Sequence, residues 1–236
     1  MAQELFKNSL EGEHHSNMTK LNENGRIHVF CFPPVLGYGM VYKEMARQLE
    51  GHCIVYGIDF IEDQDRRGDE LNDYVDAIIS VQEHGPFVLA GYSLGGNLAF
   101  EVAKIMEKRG YEVSDLLIID ALKMDGTMQQ IEDISGYIDS VLEKSSDSYK
   151  LVLTESRLRE KVRNKMYAYL MYRNQLINTG NIQASIHSLT AGPKEDDLLW
   201  KQSTLKNYAQ YPLIGDHSEL LEPGFIEENA KSSSKS

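Results

Sequence analysis

Phe87-Val88-Leu89-Ala90-Gly91-Tyr92-Ser93-Leu94-Gly95 is an apolar run that breaks into a Gly-x-Ser-x-Gly pentapeptide. Helix-forming residues follow, from Asn97-Leu98-Ala99-Phe100 to Ile105-Met106. Strand, tight turn and helix in that order make a common pentapeptide a nucleophile elbow. Glycine at 91 and 95 lets the turned backbone pass where any side chain would crowd the neighbouring strand and helix. Ser93 then stands at the carboxyl end of a sheet, over a helix start whose amides and dipole favour developing negative charge. A Gly-Ser turn without chemistry is the plainer reading of the pentapeptide alone; its context favours the elbow.

Outward from the elbow, strand and helix patterns alternate. Ile27 to Phe32 and Cys53 to Phe60 are β-rich, and Met40 to Leu49 has helical spacing. Leu71, Tyr74, Val75, Ile78 and Ile79 share one helix face, and Leu116 to Ile119 is a strand ending at Asp120. The rhythm resumes at Ala184 to Leu189, with Trp200 in a helix beyond and a last helix from near Ser218. Short apolar strands between amphipathic helices predict an α/β fold, its central sheet mostly parallel and covered by helices on both faces. Right-handed crossovers collect the strand ends on one edge, where active sites gather.

Residues 124–178 break the rhythm. They are helix-prone and strand-poor, and read as a helical lid over the strand ends. Tyr167, Tyr169 and Tyr172 line a channel or pack a helix pair there, with packing favoured for most; Glu143 to Tyr149 reads as a lid hinge. Residues 1–25 are polar and read as a linker, 26–230 as the folded domain and 231–236 as a disordered tail.

The 236 residues suffice for one large domain with a real core. A net charge of −12, without a basic stripe, argues against nucleic acid. No apolar run approaches membrane-spanning length. The start lacks a basic-then-apolar leader, so a cytoplasmic location is expected. Cys31 and Cys53 sit in apolar stretches and read as buried, inert thiols. No metal site is indicated, since His14-His15 has no ligand companions.

A serine hydroxyl needs a base. In an α/β-hydrolase fold the base comes last in chain order, after serine and acid, which leaves His187 and His217. His187 lies in a strand and would face into the sheet. His217 sits in the loop Ile214-Gly215-Asp216-His217-Ser218-Glu219 and can reach across the site edge. The acid holds the imidazole tautomer. Asp120 closes an apolar strand, where an unpaired carboxylate would be costly, and is favoured on that ground. Asp196 and Asp197, one strand later, are the alternative.

An oxyanion hole needs two N–H donors. Leu94, after the nucleophile, is one. The other is expected from Phe32-Pro33-Pro34-Val35-Leu36-Gly37-Tyr38-Gly39. Proline has no N–H, so Val35 offers the first usable amide.

That loop, with Asp59-Phe60-Ile61-Glu62, the pentapeptide, Asp120 and His217, resembles the terminal (type I) thioesterase domains of nonribosomal peptide synthetases. The likeness covers about residues 26–230. It is nearest to the Bacillus lipopeptide kind, surfactin and fengycin (plipastatin), and fengycin above all. The Pro-Pro loop is far more specific than the elbow.

The resemblance implies that residues 1–25 follow a peptidyl carrier domain in the same synthetase. A peptidyl thioester would arrive on the carrier's phosphopantetheine arm, with no other cofactor. Ser93 would take the peptide as an ester, with Asp120 as the acid. A hydroxyl of the peptide would then close a lactone, with hydrolysis as a side reaction. It also implies that Pro34, often glycine in hydrolysing members, limits water access. Lys123, just past Asp120, is a candidate contact for the arm's phosphate, against the plainer reading of a solvated lysine. Two rivals remain open: a free-standing hydrolytic (editing) thioesterase or lipase-like esterase, and an inactive binding module.

Overall fold

The computed structural model describes residues 17–62, 70–144, 154–192 and 197–233. Their strands are β1 (Met18–Lys20), β2 (Ile27–Phe32), β3 (Cys53–Ile58), β4 (Phe87–Tyr92), β5 (Val113–Ile119), β6 (Ser185–Ala191) and β7 (Tyr208–Leu213). Their helices are α1 (Lys43–Gln48), α2 (Glu70–Val81), α3 (Leu94–Lys108), α4 (Ile134–Lys144), α5 (Ser156–Gln175), α6 (Asp197–Lys201) and α7 (Pro223–Ser233). The strands form one sheet in the order β1-β3-β2-β4-β5-β6-β7. Neighbours are parallel except β1, which runs antiparallel to β3.

Successive side chains of the central strands feed two different cores, which is why those strands read as unbroken apolar runs. Phe30, Phe32, Leu89, Leu116 and Ile118 pack beneath α2 and α3, where Trp200 of α6 meets Phe100 edge-on at 5.4 Å. Val29, Cys31, Ala90 and Ile119 face the other way, into the cluster holding Ala46 of α1 and Leu220. A third cluster joins α4 and α5 through Ile138, Leu142, Leu158, Val162, Met166 and Leu170, closed by Tyr38 from the loop after β2. Among its described residues, the stretch 124–178 thus holds two helices and no strand.

Several expectations need revision. The polar stretch before residue 26 is built into the sheet edge from Met18 onward. Leu21 is buried, and Asn22 accepts from Val55 N at 2.8 Å while donating to the carbonyls of Ala46 and Cys53. Short edge strands with polar side chains carry little apolar signal, so β1 passes as linker and β7 passes unread. The last helix starts at Pro223, because Ser218–Leu221 form a turn. Cys31 is fully buried but Cys53 only half-buried; burial pushes both thiols up, away from thiolate chemistry. Most of the expected lid hinge, from 145 onward, lies outside the described residues, as do residues 1–16 of the expected linker and the tail from 234.

Candidate active site

β4 ends in a turn that strains its serine. Ser93 has φ 56° and ψ −129°, and its N–H donates to Ile119 O at 2.9 Å. The glycines around it are steric requirements. A Cβ on Gly91 would stand 2.2 Å from Gly95 O, and one on Gly95 would stand 2.3 Å from Phe32 O and 2.7 Å from Pro33 O. The elbow and the loop after β2 therefore touch backbone to backbone.

Asp120, directly after β5, has φ 48°; it and Ser93 are the non-glycine residues with positive φ among those described. Such backbone costs about 1–3 kcal/mol each and persists where surroundings hold it. At Asp120 the hold is visible. Its N–H donates to Leu189 O at 2.8 Å, and its Oδ1 accepts from Ala191 N at 2.8 Å. Oδ2 is left to meet His217 Nδ1 at 2.5 Å, and His217 Nε2 lies 3.1 Å from Ser93 Oγ. A buried carboxylate, an imidazole half open to solvent (51 %) and a serine hydroxyl thus stand in one hydrogen-bonded row. Such a row can draw the proton from Oγ and stabilise the imidazolium that results.

Tyr92, the first variable residue of the pentapeptide, gives the histidine a second anchor. Its hydroxyl donates to the His217 carbonyl, and the two rings stand 5.0 Å apart. Burial, with the Asp120 carboxylate nearby, pushes its phenol up, so it stays a neutral donor. Nothing in the sequence marks this contact, which spans 125 positions.

Leu94 opens α3, so its N–H has no acceptor within the helix. Val35 is the second residue of a turn in which Gly37 N–H donates to Pro34 O at 2.8 Å; an N–H at that position is not used by the turn. The contact of Pro33 with Gly95 brings the two amides to the same edge of the sheet.

Other candidates lie apart. His187 Nε2 pairs with Asp115 at 2.8 Å and stacks on Tyr211, within the sheet. Asp196 and the Asp197 side chain fall outside the described residues. Lys123 points inward: Nζ donates to Ser203 Oγ at 2.6 Å and lies over the Phe100 and Trp200 rings, where burial lowers its pKa. That placement gives no support to a phosphate contact. Tyr169 packs fully buried, whereas Tyr167 and Tyr172 line a cavity of about 490 Å3 between α2, α3 and α5. The cavity walls include Phe60, Tyr74 and Leu98 but none of the row Ser93–His217–Asp120.

Sheet order, elbow and a late histidine define an α/β fold of the α/β-hydrolase type. The family model for the thioesterase domain matches residues 27–227, and the chain belongs to that family. It is 42% identical over 233 residues to a mycosubtilin synthase polypeptide of Bacillus subtilis, a match that covers 97% of this chain and 9% of that protein. It is 31% identical to a surfactin synthase polypeptide of Bacillus subtilis strain 168, covering 91% of this chain and 17% of that one. The chain therefore spans less than a fifth of either relative's length. Among solved structures it is similar to the thioesterase domain that cyclises the lipopeptide antibiotic surfactin: 29% identity, TM-score 0.80, 93% of this chain and 94% of that one. The nocardicin thioesterase domain NocB, 20% identical with TM-score 0.75 over 93% of this chain and 99% of that one, shares the fold. These relatives support the lipopeptide class of the resemblance without singling out the fengycin kind. No helix of the described residues is long and apolar enough to cross a membrane.

Proposed function

We propose that this chain releases a lipopeptide from a nonribosomal peptide synthetase by acyl transfer through Ser93, ending in macrocyclisation to a lactone. The observation that carries this reading is the row Ser93 Oγ–His217–Asp120 at the carboxyl edge of the sheet. The substrate is a peptidyl thioester on the phosphopantetheine arm of an upstream carrier domain in the same synthetase, and the site of action is the cytoplasm. Support for a carrier-fed donor comes from the similarity to parts of long synthases.

His217 Nε2 takes the Oγ proton as Oγ attacks the thioester carbonyl. Negative charge grows on the carbonyl oxygen, which Leu94 N–H and Val35 N–H receive. The tetrahedral adduct collapses, and the arm's thiolate leaves and takes the proton back from His217. A hydroxyl of the bound peptide next gives its proton to His217 and attacks the ester; Oγ departs and is reprotonated. Asp120 holds the imidazole through both halves. Water competes for the second attack. Pro34, with no N–H and a fixed φ, stiffens the loop at Val35 and limits that competition. Proximity within the folded peptide supplies the rest. The fengycin kind, whose attacking group is a tyrosine phenol, remains the more specific form of this reading.

The test is to incubate the protein with linear peptidyl thioesters that carry an internal hydroxyl and to weigh the products. A lactone, lost together with acid in Ser93→Ala, is the expected result. Acid alone would replace the cyclase by a hydrolytic thioesterase. Turnover that survives Ser93→Ala would end the reading.

A further inference from the structure

The loop that carries Val35 has an unusual supply of hydrogen bonds. Pro33 and Pro34 offer no N–H, so through this stretch the backbone is held by its carbonyls. Phe32 O accepts from the buried Tyr42 hydroxyl at 2.5 Å, and Pro34 O accepts from Gly37 N within the turn. Pro33 O, which backs onto Gly95 of the elbow, accepts from the Tyr169 hydroxyl at 3.0 Å. Tyr169 belongs to α5, the lid helix. Its ring stacks on Phe60 at 4.1 Å and is fully buried. One turn earlier, Lys165 lays its stem against Gly37 and donates from Nζ to Phe60 O at 2.9 Å, with Glu62 at 3.0 Å. The lid helix thus grips both loops at the sheet edge, and one grip ends two residues from the Val35 amide.

We infer that Tyr169 is a positioning residue: its hydroxyl, reaching from the lid, sets the oxyanion-hole loop through Pro33 O and so couples lid seating to transition-state stabilisation. This rests on the proposed acyl-transfer function. Burial pushes the phenol well up, so it remains a donor throughout the working range of pH. Removing the hydroxyl alone frees the Pro33–Val35 stretch on the lid side while the ring keeps its stack. A donor displaced by a fraction of an ångström weakens only interactions made as charge develops.

The experiment is Tyr169→Phe in the whole protein, beside wild type and Ser93→Ala, with a peptidyl thioester substrate. The expected result is kcat lowered about tenfold or more, with KM within about twofold, the pH–rate profile unmoved and melting within a few degrees of wild type. A kcat within about twofold of wild type, or a loss confined to KM, overturns the inference. If Ser93→Ala is inactive in the same series, that outcome removes Tyr169's role and leaves the acyl-transfer reading standing. An active Ser93→Ala removes the reading itself.

Discussion

The elbow and helix α5 meet the same loop by different means. From the elbow, contact is backbone against backbone: Gly95 lies where Phe32 O and Pro33 O leave no room for a methyl group. From α5, contact is through long side chains: the Tyr169 hydroxyl reaches Pro33 O across 136 positions, and Lys165 lays its stem against Gly37 while its Nζ holds Phe60 O of the neighbouring loop. The first side is rigid because backbone meets backbone there with no room between them. The second depends on where tertiary packing seats α5. One loop is thus held by a fixed wall and by a conditional one, and under the inference drawn above the second offers control.

The rigid side is broken most severely at its charge. Asp120→Asn leaves the geometry nearly intact but presents the wrong partner to His217 Nδ1, and kcat for thioester turnover should fall about ten-thousandfold. Gly95→Ala tests the wall itself. Its methyl group has nowhere to go, and urea unfolding should show a loss of about 3 kcal/mol, the upper range for overpacking. On the conditional side, Lys165→Met keeps the stem against Gly37 and removes the ammonium from Phe60 O. The cost in urea should be near 1–2 kcal/mol, about what an unsatisfied buried acceptor brings. Pro34→Gly should be the mildest in rate and the clearest in outcome: turnover within severalfold, with products moved from lactone toward linear acid by mass. An unchanged ratio would separate Pro34 from water control.

The two sides also differ in legibility. Ser93 and its glycines are readable because strand, turn and helix signals lie within twenty positions. Asp120 is readable because a carboxylate after four apolar residues demands a partner. His217 follows from chain order and from its loop setting. The stretch 124–178 is readable only as a helical interruption. Its helix α5 buries Leu158, Val162, Met166, Ala168, Tyr169 and Leu170 together with Lys165, and no periodicity separates such a lysine from a solvated one. Lys123 shows the converse error: a residue that looks free at a strand end is drawn inward by Ser203 and two aromatic faces. Tyr92 is hidden because its partner is a main-chain carbonyl, which has no sequence identity of its own.

The alternating layers, the strained serine and the order in which its partners come are thus written in the residues themselves, since each follows from short-range sterics or from the cost of burying charge. Which polar side chains clasp the strand-end loops, and which edge segments join the sheet, is settled by tertiary packing. Those choices depend on carbonyls and amides that every residue shares, and only folding brings the right ones within reach.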